Sequence, residues 1–531
     1  MVESMNRAFS ETGRRDDLWI LKSGGSKATR EILCYAGLQM FESLSRTRCS
    51  RFVTSPLMAL ALVATAQLAQ ASPFEDTTNG GAVFTGPVHA HPTSVLINPA
   101  ALGIGGVQQY VYLGVSAHLD RYNIQRNPIL DPNADPEAGP RLTPTTWAPG
   151  GLLAVQIKAG NSAILAAAFS LPVYESFISG EENLGYHVLG GHHRRWSGTL
   201  ATAVRLTNYL YVGASLSGSS TDLALSFYRD TALEAGRSAS DGGVESTDCG
   251  GAVCGIENPE AAELWDVNVA SEGFIGTQTL SIRVGAAFQV RKGWWLGASY
   301  HSPPGLQAPV SLRGDVTIDR APRDRTGDPT VDQVSGNAEI VYKLPQTVTL
   351  GVRGPVTESL QVLAHTRWET LSRQRVLDLQ VFGRDLPDTI PEWYPRYRGL
   401  SDSLSFTAGV ETFGLRRWLL GGRIRLEWGG TDDAAVSPLQ VAGFNVNGAF
   451  GAELRISQNV VLAASGGVSW YPTTTVKNSD YNPLERLDCV GSDFEVSTCT
   501  STVEGRAIAS ADGTYGRFTA ALRTSLRVYW D

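Results

Sequence analysis

Charge and sulphur are both scarce in this chain. Of its 531 residues, 18% are charged, six are cysteine and four are methionine. Acidic residues (52) outnumber basic ones (44), for a net charge of −8. Nucleic-acid binding needs a basic stripe, so no nucleic-acid partner is expected. The mean hydropathy of −0.09 excludes a bundle of transmembrane helices, which needs many apolar runs of about 20 residues. No G-x-S-x-G, H-E-x-x-H or P-loop sequence occurs, and Gly103-Ile104-Gly105-Gly106 lacks the strand–glycine–helix setting of a nucleotide loop. No enzymatic activity and no cofactor are therefore expected. A Pro/Ser linker is also missing, so nothing divides the chain into soluble domains.

What the chain has instead is a rhythm. From about residue 107, two-faced segments are joined alternately by short turns and long polar loops. In the last of them Phe518, Ala520, Leu522, Leu526, Val528 and Trp530 share one face, broken only by Thr524, and Arg517, Thr519, Arg523, Ser525 and Arg527 share the other. Side chains along a strand alternate between faces, so each such segment is greasy on one side and wet on the other. A soluble core would accept the greasy side. The alternation of short turns with long loops instead matches an outer-membrane barrel, whose apolar face meets lipid and whose polar face lines the lumen.

Fourteen strands are expected, near 107–119, 150–158, 162–173, 196–206, 209–228, 274–290, 294–302, 336–353, 359–382, 402–413, 417–429, 444–456, 459–471 and 513–530. The even number lets an antiparallel barrel close, which lipid demands because an open sheet edge would leave backbone groups unpaired. The fold class is thus an all-β transmembrane antiparallel barrel spanning 107–531. Residues 72–106, rich in Gly and Pro and without a clear period, form a non-strand N-terminal segment ahead of it. An arginine facing lipid at the midplane costs about 2–4 kcal/mol. Those at 283, 353, 367, 423, 425, 517, 523 and 527 must therefore face the lumen.

The N-terminus reads as an address. Arg46, Arg48 and Arg51 precede an apolar stretch from about Phe52 to Leu68, followed by Ala69-Gln70-Ala71 and Ser72. A basic region, a short apolar region and an A-x-A site make a secretory signal peptide. We place the start at Met40 and cleavage after Ala71, with 1–71 as upstream extension plus signal. The four remaining cysteines fall in two close pairs inside long loops. In an exported chain, Cys249 with Cys254 and Cys489 with Cys499 read as local disulfides. Neither pair has a neighbouring histidine or zinc-type spacing, and His89 with His91 makes only half a metal site, so no metal is expected.

Several segments resemble the FadL-type family of outer-membrane long-chain fatty-acid transporters. Val95-Leu96-Ile97-Asn98-Pro99-Ala100-Ala101-Leu102 is similar to that family's N-terminal Asn-Pro-Ala motif. Lys343-Leu344-Pro345-Gln346-Thr347-Val348-Thr349-Leu350-Gly351, Thr366-Arg367-Trp368 and Gly297-Ala298-Ser299-Tyr300-His301-Ser302-Pro303 are similar to its later segments, in the same order. The resemblance covers roughly 80–530. It implies a fourteen-stranded barrel in the bacterial outer membrane, a small N-terminal plug at 72–106 inside it with the hatch at Asn98, Pro99 and Ala100, and passive, gated passage of hydrophobic molecules such as long-chain fatty acids. Trp393, Tyr394 and Tyr397, aromatic residues in a polar loop, are candidates for ligand capture. Arg283, Arg367, Arg423 and Arg425 are candidates to meet a carboxylate. The expected partners are a hydrophobic small molecule, outer-membrane lipid and lipopolysaccharide; the basic run His192-His193-Arg194-Arg195, at the end of a long loop, reads first as a solvated loop end and second as a contact for lipopolysaccharide phosphates. The barrel is expected to be a monomer. A structural or adhesive barrel with stapled loops, or a general porin, are the alternatives.

Overall fold

The structure is a computed structural model that describes residues 83–104, 109–128, 138–178, 182–230, 233, 257, 262–274, 276, 278–320, 333–384, 386–387, 390–481 and 508–530. The segment 1–82, with the expected signal peptide, lies outside these residues. So do Cys249, Cys254, Cys489 and Cys499, and with them both expected disulfides, Cys249 with Cys254 and Cys489 with Cys499. None of the described helices is long and apolar enough to cross a membrane.

Among the described residues twenty strands run in chain order: β1 (Gln109–Arg126), β2 (Arg141–Leu142), β3 (Thr145–Ala159), β4 (Ala163–Ile178), β5 (Gly190–Arg205), β6 (Leu210–Asp230), β7 (Ala262–Ala270), β8 (Leu280–Arg291), β9 (Trp294–Ser302), β10 (Val310–Asp319), β11 (Gln333–Tyr342), β12 (Thr347–Pro355), β13 (Leu360–Glu369), β14 (Val376–Phe382), β15 (Arg396–Tyr397), β16 (Ser403–Leu415), β17 (Trp418–Gly429), β18 (Asn445–Arg455), β19 (Val460–Val476) and β20 (Gly513–Trp530). Fourteen of them make a closed antiparallel barrel in the order β1-β3-β4-β5-β6-β8-β9-β12-β13-β16-β17-β18-β19-β20. β20 returns to β1 over the whole length of both strands, from Gln109 opposite Trp530 to Arg126 opposite Gly513. Closure leaves no lipid-exposed edge.

Alternation sets the two faces. Leu113, Leu153, Leu200, Leu296, Leu350, Ile424, Phe450 and Leu522 are exposed, a continuous apolar belt suited to lipid. Alternate positions on the same strands point inward: Arg353, Arg423, Arg425, Arg523 and Arg527 are all less than 10% exposed. An apolar belt outside and arginines inside define a membrane-spanning barrel of the bacterial outer-membrane type. The short turns, such as the one at Gly160, whose φ of +75° suits glycine, share one end with both termini of the barrel.

At the long-loop end the structure departs from the expected strand bounds. The run expected at 336–353 is two strands, β11 and β12, because the Leu344-Pro345 step cannot continue a ladder. The run expected at 359–382 is also two, β13 and β14, separated by the 3-10 turn Leu371–Gln374. β7 and β10 lie where long loops were expected. β7, β10, β11 and β14 form an extra sheet. The second half of β6, Asp222–Asp230, pairs with β7. β7 then leads through β10 and β11 to β14, which carries the two-residue β15. Phe227, Trp265, Val267, Leu312, Val316, Ile318, Ile340, Leu379 and Tyr394 are buried together on one face of this sheet. The barrel thus carries a cored extracellular cap.

Candidate functional site: the barrel lumen and its cap

The segment 83–104 lies against the inward face of the barrel. Two 3-10 helices shape it, Pro92–Leu96 and Pro99–Gly103. Each starts with proline, whose missing N–H is no loss there, behind a capping side chain: His91 for the first, Asn98 for the second. Asn98 Oδ1 accepts from Ala100 N at 3.1 Å. Its Nδ2 donates to Pro87 O at 2.7 Å and to Ala286 O of β8 at 3.1 Å. One asparagine therefore caps a helix, closes its own loop and ties the segment to the wall.

The wall is made of glycine where the segment touches it. A Cβ on Gly213 would collide with the Ala100 backbone, and one on Gly285 with the Asn98 side chain. Cβ atoms on Gly297, Gly351 and Gly421 would come within 2.5 Å of Val88, Pro87 and Val83. Here glycine serves close approach. Asn98, Pro99 and Ala100 are all buried at this contact.

Charge completes the docking. His89 Nε2 lies 2.6 Å from Glu411 Oε1, while the other carboxylate oxygen accepts from Arg353 at 2.6 Å. Arg423 Nη2 is 3.6 Å from Glu411. His91 Nε2 lies 3.8 Å from Glu453, which Arg527 holds at 2.8 Å. The two histidines thus reach different wall carboxylates. Among the four arginines proposed from sequence, Arg367 pairs with Glu369 at 3.1 Å, Arg425 with Glu427 and Arg423 with Glu411. Arg283 reaches only the Val95 carbonyl, at 3.4 Å, and has no carboxylate partner among the described residues.

A lumen cavity of about 180 Å³ lies beside the segment. Arg283, Arg367 and Arg423 line it, as does Arg195, which sequence reading placed at a loop end. β5 explains the difference. The strand begins at Gly190, so the run His192–Arg195 alternates. His192 and Arg194 face outward onto Asp222, at 2.7 Å and through two guanidinium contacts. His193 is buried, and Arg195 turns to the cavity.

The three aromatic residues of loop five, the connection between β14 and β16, separate. Trp393 is half exposed and donates from Nε1 to Asp378. Tyr394 is buried, stacks on Phe227 at 5.7 Å and lies tilted against Trp265 at 5.2 Å. Tyr397 is buried as well, with Tyr481 Oη donating to its carbonyl at 3.1 Å. Loop five is the hub of the cap. Arg396 donates to the carbonyls of Tyr186 and His187 at 3.1 and 2.7 Å, and Arg398 to Gln440 Oε1 at 2.8 Å. Arg126 joins the same cap through Glu257 and the Ser510 carbonyl.

His187 should make the cap sensitive to acid. Burial lowers its pKa well below the ordinary 6.5, and Arg126 and Arg396 add like charge. A depressed folded-state pKa means that the unfolded chain binds the proton more readily. The contribution of neutral His187 is complete above about pH 6.5 and falls away as the pH drops below it. Acidification from pH 7.5 to 5 should speed proteolysis of the cap while the barrel stays intact, and His187→Asn should reduce that speeding. An equal acid response in both proteins would refute the assignment.

No protein-family model and no curated protein sequence matches the chain. Solved structures do. A FadL homologue of Pseudomonas aeruginosa superposes with a TM-score of 0.65 at 13% identity, over 87% of this chain and 99% of that one. The toluene transporter TodX of P. putida gives 0.56 at 11% identity over 83% and 95%. The toluene transporter TbuX of Ralstonia pickettii gives 0.51 at 16% over 84% and 99%. At such identities the likeness is one of fold: the chain resembles the FadL-type outer-membrane barrels.

Proposed function

We propose that this protein is a gated outer-membrane channel for the uptake of hydrophobic or amphipathic small molecules by passive diffusion. The observation that carries the reading is the glycine-floored berth in the lumen, filled by 83–104 and latched through Asn98, His89 and His91. A segment held by a few polar contacts against a wall cleared of side chains is suited to movement, and the barrel behind it to conduction. The neighbours that share the fold include transporters of toluene. The hatch is Asn98-Pro99-Ala100. Trp393, the exposed aromatic residue of loop five, is the capture candidate, and Tyr394 and Tyr397 hold that loop in place. Long-chain fatty acids are one ligand class, with Arg283 as the carboxylate partner.

The test is binding of a fluorescent long-chain fatty acid to the refolded barrel, with and without residues 72–106. Saturable binding that changes on deletion supports the gated channel. High ion conductance of the intact protein without binding would indicate a porin. Neither binding nor conductance would indicate an adhesive or structural barrel.

A further inference from the structure

The lumen cavity is greasy on only part of its wall, at Leu96, Ile97, Pro304, Leu344 and Pro345. Ser170, Ser197, Thr199, Ser217, Ser281 and Ser299 all border it, arranged in rows by strand register. Ser170 and Ser197 are direct partners, as are Thr199 and Ser217, with hydroxyl oxygens 2.7 and 2.8 Å apart. A hydroxyl row tolerates a hydrogen-bonding guest and gives a hydrocarbon nothing that lipid does not.

The charges are unbalanced too. Among the described residues Glu369 is the one carboxylate on the cavity wall, and it faces Arg367 at 3.1 Å. Arg195 and Arg283 have no carboxylate partner among the described residues, and Arg195 and Arg367 both act on Arg283 as like charges. Arg423, 6% exposed, leaves Nε and Nη1 without hydrogen-bond partners although its Nη2 approaches Glu411. Cations crowded on one wall with too few carboxylates are stabilised when an anion joins them.

Size narrows the guest. A cavity of about 150 Å³ suffices for benzene, and this one measures about 180 Å³. It holds one ring with a small polar group, whereas a long acyl chain would have to leave most of its length outside it.

We propose that the cavity is a site for a compact aromatic carboxylate, its charged head between Arg195 and Arg283 and its oxygens within reach of the hydroxyl rows. The proposal rests on the channel reading and names the ligand class that the lumen prefers.

The experiment uses the full refolded barrel, with benzoate, toluene (the same ring without the charge) and dodecanoate (the same head on a long chain). Equilibrium dialysis should show saturable benzoate binding. A charge-assisted hydrogen bond contributes about 1.5–3 kcal/mol, so Arg283→Gln or Arg195→Gln should weaken it by about 10- to 100-fold. Arg283→Lys should retain part of the affinity. Toluene and dodecanoate should compete poorly. Heat-modified gel mobility reports whether each variant has folded. Toluene binding that equals benzoate binding, or indifference to both arginines in folded variants, would overturn the charge argument. Dodecanoate competing as well as benzoate would overturn the size argument. Permeation into liposomes, counted as the excess over protein-free liposomes, separates the two levels. Toluene or dodecanoate entry without benzoate binding sinks this proposal alone, whereas entry of none of the three sinks the channel reading with it.

Discussion

A valine at position 285 should drive the N-terminal segment out of the lumen. Gly285 lies in β8 with no side chain between it and Asn98, and even a single Cβ there would collide with the asparagine amide. Asn98 is fully buried and cannot retreat. Its Oδ1 is committed to Ala100, and its Nδ2 to Pro87 and Ala286. Overpacking a tight contact costs about 1–3 kcal/mol, which shifts a docked–undocked equilibrium by about 5- to 150-fold. Valine suits a strand, so the barrel should still close. We expect Gly285→Val to raise ion conductance in planar bilayers and to open the segment 83–104 to protease. Gly448, in β18, is the control, because a Cβ there meets nothing. Gly448→Val should behave as wild type. If both variants conduct alike, the segment is not held by the glycine berth.

Asn98 illustrates how unevenly the sequence displays its structure. The Asn-Pro step announces a capped turn, and a family resemblance announces a hatch. Nothing local announces that the wall opposite is glycine, since Gly285 is 187 residues away. The barrel itself was legible because lipid imposes the same two-residue alternation on every strand, as in Leu522 beside Arg523. The cap was not. β7 offers Trp265, Val267 and Val269 alternating with Asp266 and Asn268, a signal strong enough for a strand. It is short, however, and embedded in a polar stretch that barrel logic assigns to loops. Tyr394 shows a different limit. An aromatic residue in a polar loop can face solvent or a core, and its partners Phe227 and Trp265 lie more than a hundred residues earlier. Only the fold reveals that Tyr394 is buried and Trp393 exposed. Arg195 was hidden for a related reason. The run His192–Arg195 reads as a basic patch until strand pairing sends alternate members to opposite faces.

Replacing Glu411 with glutamine should loosen the lumen more than any other single change of charge. This carboxylate is 1% exposed and gathers Arg353, Arg423 and His89 around it. Glutamine keeps the shape and removes the charge that balances two buried guanidinium groups. Breaking a buried ion pair on one side costs about 3–5 kcal/mol, because the remaining charge stays desolvated. The loss should appear twice. The wall weakens, since Glu411 in β16 bridges to Arg353 in β12 across the intervening β13. The segment weakens as well, since His89 loses its partner. His89→Ala separates the two effects, as it cuts only the link to the segment. Thermal unfolding followed by heat-modified gel mobility should fall markedly in Glu411→Gln and little in His89→Ala. Protease access to 83–104 should rise in both. Adding Arg353→Gln to Glu411→Gln should recover part of the lost stability, because the stranded cation is gone. If the double variant is less stable than Glu411→Gln alone, Arg353 stabilises the wall through contacts other than this carboxylate, and the charge-balancing role assigned to Glu411 fails.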